Sequence, residues 1–322
     1  MLITGGSGYL GQFLVHGFAP SHEVHYTFAT RKLEKAPAGT VAHEVDLVTG
    51  EGLKPVFEQA EFDVVVNCAA LSQPGLCESL PERARAINVP SHLLDCLEAQ
   101  AAATGRAPVL VHISTDQVYD GSRAQWAERD VCAPVNAYGK TKLEAEEHIL
   151  SRLPAPYPVA ILRSSIIYGP PPPEPVPRAL FLQFVASAVR GDAPTSFYED
   201  EWRSPVFVED LRALIAAAAE RLLSARDAGG EGLPRRVYNA GGPERLSRVD
   251  MARQVADALG CGHGSILAVP SASSTRNVAS PADISMDVGA AGAELGWRPS
   301  AFREAVRGIF AGEEGSGGQR HG

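Results

Sequence analysis

Several apolar runs in the first half of this chain do not alternate with polar residues. "VHYTFAT" (24–30), "FDVVVNCAA" (62–70) and "PVLVHIST" (108–115) are almost continuously apolar. A strand with one wet face alternates. A continuous run is covered on both faces, as in a parallel sheet between layers of helix. Helical patterns fall between these runs, at "INVPSHLLDCLEAQAA" (87–102) and "AYGKTKLEAEEHILSRL" (137–153), and "VAILRSSIIYG" (159–169) reads as another strand. Strands alternating with helices predict an α/β chain with a Rossmann-type, doubly wound parallel sheet.

The rhythm breaks at "GPPPPEPVPR" (169–178), where five of the six residues 170–175 are proline. Such a segment is stiff and extended, and reads as a rigid loop between lobes. Beyond it come a helix near 178–190, "EWRSPVFVEDL" (201–211), an Ala-rich helix, the strand "RRVYNAGG" (235–242) and the helix "SRVDMARQVADALG" (247–260). Ser247 is suited to cap that last helix and Gly260 to stop it. A final helix precedes "GEEGSGGQRHG" (312–322). The expected organisation is a nucleotide-binding domain over 1–168, to which the chain returns around 206–240. A smaller C-terminal substrate-binding lobe covers 169–312, and 313–322 form a disordered tail.

A glycine string follows the short first strand "LIT" and opens a helix. "TGGSGYLG" (4–11) holds Gly5, Gly8 and Gly11 in a G-x-x-G-x-x-G spacing. Glycines permit a tight turn and close backbone approach, and the helix N-terminus offers free N–H groups to a pyrophosphate. Gly5, Ser7, Gly8, Tyr9, Leu10 and Gly11 are therefore expected at a dinucleotide. NAD-preferring sites carry an acid at the end of the second strand. Here that position reads Thr30-Arg31-Lys32. Arg31 can take a 2′-phosphate, so NADP(H) is the expected cofactor, with NAD(H) open. The first strand is short, and a few natural residues upstream of Met1 are expected.

A net charge of −9 argues against broad binding to nucleic acid. No apolar run is long enough to span a bilayer, and the N-terminus lacks the pattern of a signal peptide. The five cysteines (Cys68, Cys77, Cys96, Cys132, Cys261) are scattered and form no C-x-x-C pair. A reducing, cytoplasmic setting follows, with no disulfide framework and no zinc cage. His22 and His25 in "HEVH" have tolerable ligand spacing but no third ligand nearby, so no metal is expected.

"NAYGKTKLEAE" (136–146) sets Tyr138 one helical turn from Lys142. With "TGGSGYLG", "NCAA" (67–70) and "STDQVYDG" (114–121), it completes four motifs in order. Up to about residue 310 the chain resembles an extended short-chain dehydrogenase/reductase. "STDQVYDG", "NAYGKTKLEAE" and "LRSSIIYG" resemble most the dTDP-4-dehydrorhamnose reductase branch, which also contains the regulatory beta subunit of methionine adenosyltransferase.

That resemblance implies a catalytic set of Thr115, Tyr138 and Lys142. Tyr138 would protonate a ketone oxygen while NAD(P)H delivers hydride. Lys142 would lower the phenol's pKa and hold the nicotinamide ribose, and Thr115 would orient the reacting oxygen. Asp46 and Leu47 resemble the adenine-contacting pair, and Cys68, Ala69 and Ala70 would line the middle of the cofactor. Asn88 resembles a structural helix asparagine, and Arg163 an anchor for its strand. Ser72, Asp116, Gln117 and Arg203 are the expected substrate contacts, with Arg203 clamping a phosphate. Two positions depart from the pattern. Ser280 stands where many relatives carry a diphosphate-binding arginine, with Arg276 nearby, and Gln117 replaces a usual tyrosine. The resemblance implies a reductase of a nucleotide sugar. The alternative it carries is a cofactor-binding regulatory subunit paired with a methionine adenosyltransferase catalytic subunit. A homodimer and, more weakly, an epimerase also stay open.

Overall fold

The computed structural model describes residues 1–229 and 236–316. In chain order the first half contains β1 (Leu2–Thr4), α1 (Tyr9–Phe18), β2 (His25–Phe28), β3 (Val41–Glu44), α2 (Leu53–Gln59), β4 (Val64–Asn67), α3 (Pro74–Ser79), α4 (Pro81–Asn88), α5 (Ser91–Thr104), β5 (Val109–Thr115), α6 (Ala137–Arg152) and β6 (Val159–Ser164). The second half adds β7 (Ile167–Tyr168), α7 (Phe181–Arg190), β8 (Thr195–Tyr198), β9 (Trp202–Arg203), β10 (Val206–Phe207), α8 (Val208–Asp227), β11 (Val237–Ala240), β12 (Leu246–Ser247), α9 (Arg248–Ala258), β13 (Ile266–Val269), α10 (Gly289–Leu295) and α11 (Phe302–Ser316).

Seven strands form one sheet in the order β11-β6-β5-β4-β1-β2-β3, and every pairing in it is parallel. The chain winds outward from β1 in both directions, so the β1–β4 boundary is the topological switch point where such sheets bind ligands. The apolar runs are buried as their patterning requires: all seven residues of β5 and all four of β4 are inaccessible. One core packs Leu14, Val15, Leu211 and Ile215 of α1 and α8 on one face of the sheet. Another packs Leu53, Leu94, Leu97 and Ile149 of α2, α5 and α6 on the other. A third joins α7, α9 and α11 through Val185, Met251, Val255 and Val306.

Three elements depart from expectation. The helix expected over 87–102 is two helices, because Pro90 removes a donor and ends the first one at Asn88. The single strand expected over 159–169 breaks at Ser165-Ile166. β6 stays in the large sheet, while β7 pairs with β10. Of the tail expected from residue 313, residues 313–316 have helical backbone as the end of α11, and 317–322 lie outside the described residues. Arg235, expected to begin a strand, also lies outside them; β11 starts at Val237. Ser247 does cap α9, in a reciprocal box with Asp250, and Gly260 follows with φ +63°. Among the described residues no helix is long and apolar enough to cross a membrane.

Arg163 anchors β6 through a buried ion pair. Its Nη2 lies 2.6 Å from Glu146 Oε2 of α6, and its Nη1 donates to Tyr119 Oη and the Glu128 carbonyl. Ser114 of β5 donates to the same carboxylate. Both charged side chains are almost inaccessible, so removing one strands the other in a poor solvent. Arg163→Met is expected to lower the unfolding free energy in urea by about 3–5 kcal/mol, with the double variant Arg163→Met/Glu146→Met recovering most of it. A single-variant loss below about 1 kcal/mol contradicts this account.

Candidate active site

A cleft of about 950 Å³ runs across the C-terminal ends of the central strands. At one end is the glycine turn. Gly5 has φ +68°, and a Cβ there would sit 2.8 Å from the Ala69 Cα. A Cβ on Gly11 would lie 2.2 Å from the Gly5 carbonyl oxygen. The turn is therefore pressed against the loop after β4 and against its own helix, and only glycine fits. No side chain caps α1 at Gly8, which leaves that helix end to an anion.

Gly5, Ser7, Gly8, Tyr9, Leu10 and Gly11 all line the cleft, as do Asp46, Leu47, Cys68, Ala69 and Ala70. The Cys68 thiol donates to the Thr4 carbonyl at 2.8 Å, and burial pushes its pKa up to about 12. It is an inert wall of the cleft. A turn that admits no Cβ, an uncapped helix N-terminus and small residues behind them fit a dinucleotide.

Midway along the cleft, Thr115 ends β5 and Tyr138 begins α6. Asn136 caps α6 by accepting from Gly139 N at 2.9 Å. A Cβ on Gly139 would stand 2.2 Å from the Gln117 carbonyl oxygen. Glycine lets the helix close on the 116–118 turn and brings Tyr138 to Thr115. Burial pushes the Tyr138 phenol up to about 12, with its hydrogen bond to Thr115 easing it down and the Asp116 carboxylate pushing further up. Asp116 is itself buried, accepts from Ser165 Oγ at 2.6 Å, and has its pKa raised by burial against the pull of Arg203.

Lys142 lies one turn from Tyr138, as its spacing predicts, with its amine directed away from the cleft. It does not line the cleft. Its Nζ turns inward, donating to the Ile113 carbonyl at 2.6 Å and lying 3.0 Å from His112 Nε2. Burial lowers its pKa to about 8, although Glu146 supports the charged form. The phenol is raised rather than lowered, because burial outweighs any field from this ammonium. Arg31 is likewise outside the cleft lining, with its Nη1 3.6 Å from Glu174.

Arg203 lines the cleft, and both of its terminal nitrogens are already engaged. Its Nη1 donates to the Trp202 and Ala282 carbonyls, and its Nη2 to Ser280 Oγ and the Pro281 carbonyl. Ser280, the missing-arginine position, is thus part of the bracket that immobilises Arg203. Gln117 is also engaged, accepting from Asn136 Nδ2 at 2.9 Å. Ser72 accepts from Arg178 Nη1 at 3.0 Å, a bond that ties the proline-rich segment to the loop after β4. Asn88 ties that same loop to α6 through Leu71 and Thr141.

The cation that sequence reasoning missed is Arg248, at the first position of α9. It lines the cleft, and burial lowers its pKa to about 10. It stacks 5.1 Å from the Phe181 ring centroid. Arg276 joins it, held by Glu201 Oε1 at 2.5 Å, with its Nη2 buried and unpartnered. No motif marks Arg248; only the packing of α9 against the cleft identifies it. Among the described residues no group of His, Cys, Asp or Glu could hold a metal ion; His25 instead pairs with His43 at 2.9 Å.

A switch-point cleft with a glycine turn and a neighbouring Thr/Tyr pair belongs to the short-chain class of NAD(P)-dependent oxidoreductases. Within it, the chain belongs to the family described as RmlD substrate binding domain, whose match extends over residues 1–313. It is 30% identical over 270 residues to methionine adenosyltransferase 2 subunit beta of Rattus norvegicus, covering 80% of this chain and 72% of the relative. It is 28% identical over 274 residues to dTDP-4-keto-6-deoxy-D-glucose reductase of Streptomyces niveus, covering 84% of this chain and 82% of the relative. Its fold matches that of dTDP-4-dehydrorhamnose reductase from Bacillus anthracis, solved with NADP, with a TM-score of 0.74 at 19% identity over 97% of this chain and 98% of the other.

The inward turn of Lys142 has a measurable signature. Its pKa is about 8 when folded, against 10.5 for the free side chain. Below both values the two states bind the proton alike; between them the unfolded chain binds more, so stability rises with pH. The unfolding free energy of the wild type minus that of Lys142→Met is expected to climb by about 3 kcal/mol across that window. A difference independent of pH contradicts the buried placement.

Proposed function

We propose that this chain is an NAD(P)H-dependent reductase of a 4-keto-deoxysugar nucleotide, with Tyr138 as proton donor. The observation that carries the reading is the Thr115–Tyr138 pair, set in one cleft between a pyrophosphate-type turn and the Arg248–Arg276 end. A reduced nicotinamide, when bound, supplies the hydride to the carbonyl carbon. Tyr138 supplies the proton to the carbonyl oxygen. Burial pushes this phenol up to about 12, so it is protonated at neutral pH, as a general acid must be, and any further easing of its pKa has to come with the bound ligands. Thr115 orients the carbonyl, and Asp116, anchored by Ser165, faces the same space. Arg248 and Arg276 meet the diphosphate of the substrate, where charge-assisted bonds offset their burial. Residues 1–168 with the return through 206–240 hold the cofactor, and 169–312 hold the sugar nucleotide. NADP(H) is the cofactor favoured by Arg31-Lys32, with NAD(H) also accepted. The reductase from Streptomyces niveus supports the substrate class.

The test is oxidation of NADPH with a dTDP-4-keto-6-deoxysugar mixture, followed by the absorbance of the reduced nicotinamide. Tyr138→Phe is expected to lose at least about a hundredfold in turnover, with cofactor affinity nearly unchanged. Near-normal turnover in that variant removes Tyr138 from the role. Arg248→Met is expected to raise KM for the sugar nucleotide about 10- to 100-fold with a smaller change in kcat. An unchanged KM removes Arg248 from the diphosphate.

The similarity to methionine adenosyltransferase 2 subunit beta supports a second reading, a cofactor-binding regulatory subunit. Cofactor binding without turnover, together with capture of a methionine adenosyltransferase catalytic subunit, is the outcome that favours it.

A further inference from the structure

The proline-rich segment 169–178 does more than separate two lobes. It folds back over α1 and is fastened there. Tyr9 Oη donates to the Pro170 carbonyl at 3.1 Å. Gln12, fully buried in α1, takes the Glu174 N–H on its Oε1 at 2.8 Å and donates its Nε2 to the Glu174 carbonyl at 3.1 Å. These bonds deliver the Glu174 side chain, only 6% exposed, to the segment after β2. There its Oε1 accepts from Lys35 N at 2.7 Å, and its Oε2 lies 3.6 Å from Arg31 Nη1. The other terminal nitrogen of Arg31 is buried without a partner.

We propose that Glu174 is a specificity-determining residue: it neutralises Arg31 and so holds back discrimination in favour of a 2′-phosphorylated dinucleotide. The position after β2 is where doubly wound folds meet the adenine ribose. A lone guanidinium there attracts a 2′-phosphate. A guanidinium already facing a buried carboxylate must share its charge, and the carboxylate repels the phosphate. The carboxylate comes from a segment 139 residues beyond Lys35 in the chain, so the sequence around the β2 end does not reveal it. The inference rests on the dinucleotide reading and refines it. Arg31 is the reader of the phosphate, and Glu174 sets how strongly it reads.

The experiment measures dissociation constants of NADPH and NADH by nicotinamide fluorescence, on the full chain and on three variants. In Glu174→Gln the side chain keeps its size and an acceptor for Lys35 N, and the ratio Kd(NADH)/Kd(NADPH) is expected to rise about tenfold or more, through tighter NADPH. In Glu174→Gln/Arg31→Ala that gain is expected to vanish. In Arg31→Ala alone the ratio is expected to fall, because the bared Glu174 carboxylate then repels the 2′-phosphate. A ratio unmoved by Glu174→Gln, or both constants shifting together, overturns the inference and leaves Glu174 as a fastener. A gain that survives without Arg31 also overturns it, pointing to Lys32 or Lys35. If Glu174→Gln does not fold, an Arg31→Ala variant that keeps the wild-type ratio overturns it instead. Failure of both dinucleotides to bind the wild type overturns the dinucleotide reading itself, and this inference with it.

Discussion

One row of hydrogen bonds crosses the strand ends and sets the floor of the cleft. Thr4 Oγ1 of β1 donates to Asn67 Oδ1 of β4 at 2.6 Å, Asn67 Nδ2 meets His112 Nδ1 of β5 at 2.9 Å, and His112 Nε2 meets Lys142 Nζ of α6 at 3.0 Å. Each link assigns the next. Asn67 accepts through its oxygen, so its amide donates to Nδ1, which leaves the imidazole proton on Nε2. That proton points at Lys142. An ammonium has no lone pair to receive it, whereas a neutral amine has one. Burial first and Lys142 second hold His112 far below its usual pKa, and burial also lowers the lysine. The row registers the glycine turn, the loop after β4 and α6 against each other.

Charge in the cleft is settled by the same accounting of partners. Arg203 has the position and burial of an anion clamp, but four oxygens from residues 202 and 280–282 already take its donors. It behaves as a rivet closing the far wall. Arg248 and Arg276 keep unmet donor capacity beside the acids Asp116 and Glu201. A buried guanidinium without a matched acceptor is costly. The chain tolerates that cost where an incoming anion would offset it.

The sheet was legible in the sequence because burial on both faces leaves a direct mark, a continuous apolar run. The glycine turn was legible because close backbone approach admits one residue type. Thr115 and Tyr138 stood in a recognisable motif, and the structure brings them together. Spacing located Lys142 one turn from Tyr138 but carried no information about which way the amine points. That direction depends on His112, thirty residues earlier in the chain. The surroundings of Arg31 were hidden for the same reason: its partner Glu174 lies on another element. Local pattern reports conformation well. It reports charge state poorly, because the partners of a charge are chosen by the fold.

Withdrawal of Lys142 bears on how Tyr138 works. A phenol in a dry site holds its proton, since burial penalises the phenolate. Asp116 adds to that penalty, while Thr115 and Arg178 oppose it. The pull of Thr115 and Arg178 along the cleft wall is smaller than the effect of burial. In the role proposed for Tyr138, the burial that keeps the phenol protonated also weakens it as a donor, so the proton is released only as negative charge grows on the acceptor oxygen. In the proposed reduction the acid is kept loaded by burial, and Arg178 is the cation that eases its release.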